Sequence, residues 1–154
     1  MKIKWKELII SLLIPLAVGG LSAFLTRNSM DVYANINQPP LAPPSILFPI
    51  VWTILFALMG VSSYLVYMSN SKNKREALAL YGVQLIVNFI WPLIFFNMQA
   101  YFAAFLWLIL LWVLVAVMIR QFYKAKPLAA YLQIPYIIWL TFAAYLNLAI
   151  FLMN

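Results

Sequence analysis

An all-α membrane bundle is the fold class this sequence predicts, and three observations predict it. Hydrophobic residues fill 67% of the 154 positions and charged residues only 8%, too few charges to clothe a soluble domain of this size. The apolar residues come in runs of the length a bilayer requires, about 20 per helix. The basic residues, which set a formal net charge of +7, sit in short clusters between those runs. That arrangement marks membrane topology and not a nucleic-acid surface. Residues 1–154 therefore read as one integral membrane domain of five transmembrane helices, with the lipid bilayer as partner and no nucleic acid.

The first span covers about 8–26, between Lys6-Glu7 and Arg27. Lys2, Lys4 and Lys6 followed by LIISLLIPLAV and GGLSA also fit a secretory signal peptide. Cleavage would leave four helices, and intact mass separates the two readings. The second span covers about 46–68. An uncharged stretch from Ala77 to Ile119 is too long for one helix and long enough for two. Its most polar point, Asn97-Met98-Gln99, predicts a tight turn, giving spans 77–96 and 100–119. The fifth span, 127–152, opens on Pro127, a residue suited to the first helical turn. Pro15, Pro92 and Pro135 are expected to kink their helices. Gly19 and Ala23 are expected to mark close helix packing.

The first loop, NSMDVYANINQPPLAPPS, carries Pro39, Pro40, Pro43 and Pro44, which favour extended backbone. It reads either as a stiff connector or as a lid with Tyr33 or Asn35 reaching inward. Threading five spans puts nine of the ten basic residues on one side and Arg27 alone on the other. This asymmetry predicts a cytoplasmic N-terminus and an external C-terminus.

The side-chain inventory limits the chemistry. There is no Cys and no His, and the only acids, Glu7, Asp31 and Glu76, lie at or beyond the ends of apolar segments. A His-based triad, a buried carboxylate dyad or a zinc site cannot be built from these residues. What can make a site are aromatic rings and amides. Within LYGVQLIVNFIWPLIFF (80–96), Tyr81, Gln84, Asn88 and Trp91 share one helical stripe. The second span carries Trp52, Phe56, Met59 and Ser63 at helical spacing. The fifth carries Tyr136, Trp139, Ala143 and Leu146, with Asn147 beside them. If the three faces converge, they enclose an aromatic-walled cavity with a few fixed hydrogen-bonding groups. The competing reading is interhelical glue, since such hydrogen bonds average only ~0.6 kcal/mol and are common. Trp5 and Trp107 fit the membrane interface.

These stretches also carry a resemblance. QPPLAPPSILFPIVWTILFALMG (38–60), LYGVQLIVNFIWPLIFF (80–96) and PLAAYLQIPYIIWLTFAAYLN (127–147) resemble the tryptophan-rich sensory protein / translocator protein family (TspO/MBR, the peripheral-type benzodiazepine receptors). The resemblance covers nearly the whole chain. It implies a five-helix bundle in a bacterial cell membrane, commonly a homodimer. It further implies a receptor or sensor for tetrapyrroles such as protoporphyrin IX and for isoquinoline carboxamide or benzodiazepine-type drugs. Light- and oxygen-dependent porphyrin degradation is implied as an activity.

Position by position, Trp52 matches the P-x-x-W block, Asn88 and Trp91 match N-x-x-W-P, and Trp139 matches the Trp after P-Y, with Ala143 and Leu146 on its ligand-facing side. Trp52 and Trp139 are the positions the resemblance ties to degradation. Phe56 replaces a frequent Tyr. The expected ligand-binding set is thus Tyr33, Trp52, Phe56, Gln84, Asn88, Trp91, Trp139, Ala143 and Leu146, with no metal and no required cofactor. Without His or Cys to serve as an axial ligand, a metal-free porphyrin is expected, its propionates meeting Arg27 or loop groups. The animal sterol motif is lacking, because Leu148 and Leu152 stand where its Tyr and basic residue belong. The alternative function is a transporter of porphyrins or other amphiphiles, although no central charged residue of an ion-coupled carrier is present.

Overall fold

The computed structural model describes residues 2–154. The chain runs through α1 (Trp5–Thr26), a 3-10 turn (Arg27–Ser29), α2 (Val32–Asn35), α3 (Leu47–Tyr67), α4 (Lys74–Pro92), a π-helical turn (Leu93–Asn97), α5 (Tyr101–Ala125), α6 (Pro127–Tyr131) and α7 (Ile134–Met153). No strand occurs among the described residues. Five helical units are long and apolar enough to cross a membrane: Trp5–Ser29, Leu47–Tyr67, Lys74–Asn97, Tyr101–Ala125 and Pro127–Met153. The fourth continues to Ala125, where the anticipated apolar span stops at 119. Arg120 and Lys124 can extend the helix because long basic side chains carry their charge outward to the interface.

Two prolines act differently from each other. Pro92 ends α4, since it has no N–H to continue the ladder. The next turn widens, with the Met98 amide donating to the Leu93 carbonyl at 3.0 Å, five residues back. Pro135 was expected to kink the fifth span, but it sits in the first turn of α7, where a missing N–H costs nothing. The interruption falls just before it, at Leu132 and Gln133, and splits the anticipated span into α6 and α7. The α4–α5 turn lies at Met98–Ala100, with Gln99 at φ 51°.

α1 lies against α3 through close approach of backbones. A Cβ on Gly60 would stand 2.8 Å from Leu12 Cα and from the Ser11 carbonyl oxygen, so only glycine fits that crossing. Gly19 likewise leaves room for the Phe56 ring. α5 supplies the buried Leu108, Leu111, Val115, Met118 and Phe122 to the core that joins α3, α4 and α7. One end of the bundle gathers most of the basic residues. There the Lys4 amide donates to Tyr64 Oη at 2.8 Å, and Asn73 Nδ2 donates to Gln121 Oε1 at 2.8 Å. The opposite end carries the long loop, and there α3 and α7 barely touch. The space they leave holds the site.

Candidate functional site

A cavity of about 360 Å³ occupies the loop half of the bundle, enclosed by α1, α3, α4, α7 and the loop above them. Behind its Asn88 edge runs a chain of hydrogen bonds across three helices. Asn88 Nδ2 donates to Tyr136 Oη at 2.7 Å, and the Tyr136 hydroxyl donates to Gln84 Oε1 at 2.7 Å. Gln84 Nε2 then points at Met59 Sδ, 3.9 Å away. A thioether can only accept, so Met59 favours this polarity along the chain. Asn88 borders the cavity.

Gln84 does not border it. It is fully buried four residues back along α4, about 6 Å along the axis, and accepts from the Tyr136 hydroxyl. Of the nine residues expected at the site it alone stands behind the cavity lining, where it accepts from Tyr136, which accepts from Asn88.

The other eight nominated residues, Tyr33, Trp52, Phe56, Asn88, Trp91, Trp139, Ala143 and Leu146, all line this one cavity. Trp52 packs on Phe56 with ring centroids 5.5 Å apart and meets Tyr136 edge-on at 6.2 Å. On the facing wall, Trp91 Nε1 donates to Asn147 Oδ1 at 3.1 Å, and Asn147 Nδ2 donates to the Tyr101 carbonyl at 2.8 Å. The widened turn after Pro92 brings Phe95 to 5.1 Å from Trp91 and Phe96 to 4.8 Å from Phe95. No charged side chain lines the hollow among the described residues. Its polar groups are amides, hydroxyls and indole N–H.

The loop closes the end. Tyr33 is buried and donates its hydroxyl to the Pro43 carbonyl at 2.7 Å. Its ring stands edge-on to Phe48 at 5.0 Å. Burial pushes its phenol above the ordinary tyrosine range. Asn35, the other residue expected to reach inward, is exposed, because Val32–Asn35 forms a short helix that can turn only one face to the bundle. Two asparagines clasp the loop to the end of α7. The Asn37 amide donates to Asn154 Oδ1 at 3.0 Å, and Asn154 Nδ2 donates to the Asn37 carbonyl at 2.9 Å. Arg27, expected to meet carboxylates of a ligand, folds back against the end of α1. It donates to the Phe24 carbonyl at 2.6 Å and lies over the Phe24 ring.

Sequence reasoning placed the site between the second, third and fifth spans and missed the wall that α1 provides. Gly20, Ser22, Ala23 and Thr26 border the cavity. The available signal was the Ser22 and Thr26 pair at i and i+4 on an otherwise apolar helix. Ala23, read as packing, faces the hollow. Phe48 was missed as well, although it extends the Trp52 and Phe56 stripe by one turn. Trp107, read as interfacial, donates to the Val87 carbonyl at 2.8 Å.

The arrangement suits a flat, apolar molecule gripped by rings on several sides and oriented by few hydrogen bonds. Comparison with known proteins gives the fold and site a context. A family model described as the TspO/MBR family matches residues 11–153. A tryptophan-rich protein TspO of Archaeoglobus fulgidus is 34% identical over 149 residues, covering 96% of this chain and 97% of that protein. A tryptophan-rich sensory protein of Cereibacter sphaeroides is 35% identical over 115 residues, covering 75% of this chain and 72% of its own. A translocator protein of Bos taurus is 34% identical over 139 residues, covering 88% and 82%.

Proposed function

The chain belongs to the TspO/MBR family of membrane proteins, and on that premise we propose that it is a membrane receptor for tetrapyrroles such as protoporphyrin IX. The observation that carries this reading is the uncharged cavity with Trp52, Phe56 and Trp91 in its walls and Asn88 at its edge. A porphyrin is a broad aromatic disc with polar groups confined to its centre and edge. Rings stack on its faces, and a single amide orients it. Drug-like molecules of similar flatness fit the same description. The basic cluster at the far end supports a cytoplasmic N-terminus, and in that orientation the cavity would lie toward the external side.

The test is titration of protoporphyrin IX against the reconstituted protein, read by quenching of tryptophan fluorescence. Asn88→Ala should weaken binding about 3- to 10-fold, the equivalent of one hydrogen bond. Absence of saturable quenching in the wild type would refute the reading. Light- and oxygen-dependent degradation is a further step, for which Trp52 and Trp139 are the proposed catalytic indoles. Replacing both with Phe should preserve binding and abolish light-driven porphyrin loss.

A further inference from the structure

A second concavity lies on the outside of the bundle. It is a groove of about 550 Å³ between α3 and α7, walled by Val51, Ile54 and Leu55 on one side and by Ile134, Ile138 and Phe142 on the other. Ile54 and Ile138 are 55% and 63% exposed. Both helices belong to membrane-spanning units, so the groove opens on hydrocarbon, and these wall residues are all apolar. A groove facing hydrocarbon has no water to hold it open, and acyl chains are the one abundant molecule that fits it.

Trp139 belongs to both concavities, bordering the groove on one side and the inner cavity on the other. Its indole is a partition between them. Three other tryptophans are fastened: Trp91 to Asn147, Trp107 to the Val87 carbonyl, and Trp112 to Thr141 Oγ1. The N–H of Trp139 is buried and has no hydrogen-bond partner among the described residues. Only ring packing holds it, with Phe48 at 5.9 Å and Phe142 at 5.5 Å. Turning this indole breaks no hydrogen bond, and its donor gains whenever the turn brings it to an acceptor. The loop end, by contrast, is shut by the Asn37–Asn154 clasp and the Tyr33–Pro43 bond.

We infer that the α3–α7 groove seats a hydrocarbon chain from the bilayer, and that Trp139 is the movable partition through which membrane-dissolved ligands pass sideways into the cavity. The passage rests on the cavity being a ligand site; occupancy of the groove does not. Two measurements separate them.

In vesicles of phospholipid brominated on its acyl chains, the fluorescence difference between wild type and Trp139→Phe reports Trp139 alone. That component should be quenched at least twofold, despite the residue's place on an inner cavity. An unquenched component overturns the groove assignment. The chain has no native cysteine, so Ile54→Cys with Ile138→Cys can be bridged specifically by a short bis-maleimide. The bridge should slow both association and dissociation of protoporphyrin IX about tenfold and leave Kd unchanged. Unchanged rates overturn the lateral passage. If the unbridged protein binds no protoporphyrin IX, the passage falls with the reading it rests on, while the bromolipid result still decides the groove.

Discussion

Removing one oxygen atom at Tyr136 should be far more costly than removing the same atom at Tyr81. Tyr136 is 1% exposed, and its hydroxyl stands between Asn88 Nδ2 and Gln84 Oε1, 2.7 Å from each. Tyr136→Phe deletes both bonds and strands an amide donor at the edge of the cavity and an amide acceptor in the closed core. Interhelical hydrogen bonds in membranes average ~0.6 kcal/mol and reach ~1.7, while an orphaned buried group costs ~1–3 kcal/mol. Two lost bonds therefore amount to about 1–3 kcal/mol of destabilisation. Tyr81 is also buried, but its hydroxyl makes no hydrogen bond of good geometry among the described residues, and the nearby Ser63 hydroxyl already donates to the Gly60 carbonyl. Tyr81→Phe relieves an unpaired group and should leave stability unchanged or raise it by up to ~1 kcal/mol. Equilibrium unfolding in mixed detergent micelles, followed by helical circular dichroism, compares the two. Adding Gln84→Met and Asn88→Leu to Tyr136→Phe should recover most of the loss, because no polar group is then left over. A Tyr136→Phe change within ~0.3 kcal/mol of Tyr81→Phe would refute the hydrogen-bonded chain, since packing alone treats the two substitutions alike.

Other predictions follow from the packing and the loop. Gly60→Ala should cost ~1–3 kcal/mol in the same unfolding assay, because its Cβ meets backbone atoms of α1 that can move only by parting the helices. Gly20→Ala, with nothing within 4 Å, should instead stabilise by ~0.5–1 kcal/mol. Gln99→Gly should stabilise by roughly 1 kcal/mol, since Gln99 occupies a left-handed backbone that glycine adopts without strain. Tyr33, with its pKa raised by burial, contributes stability that is intact below pH 10, the ordinary tyrosine value. That contribution declines as pH rises from there through the raised native value, because the unfolded chain loses its proton first. Phenolate absorbance of wild type minus Tyr33→Phe should accordingly titrate above pH 10.

The membrane bundle was legible because hydropathy and charge clusters act over whole spans, where no single contact matters. The stripe of Asn88 and Trp91 was legible for a related reason, since α4 is regular there and its period fixes which residues share a face. Depth was not legible. Gln84 shares the face of Asn88, yet the cavity ends between them, and Gln84 meets Tyr136 of another helix instead. The π-helical turn that aims Phe95 and Phe96 shifts the period after Pro92, so a 3.6-residue count run through it loses register. The α1 wall escaped because glycine and alanine beside a hollow look, in sequence, like glycine and alanine beside another helix. Gly19 does both, packing on the Phe56 ring and bordering the cavity, whereas Ala23 one turn on faces the hollow.

A receptor cavity that binds must lose its ligand when it is filled. Ala143 borders the hollow on α7, one turn from Trp139, and Ala143→Phe puts a phenyl ring where a ligand would lie. Protoporphyrin IX titration should give a Kd at least tenfold weaker for Ala143→Phe at unchanged unfolding midpoint, and a wild-type Kd for Ala17→Phe on the exposed side of α1. Wild-type affinity in a folded Ala143→Phe protein would contradict the account, because the tetrapyrrole would then be bound somewhere else.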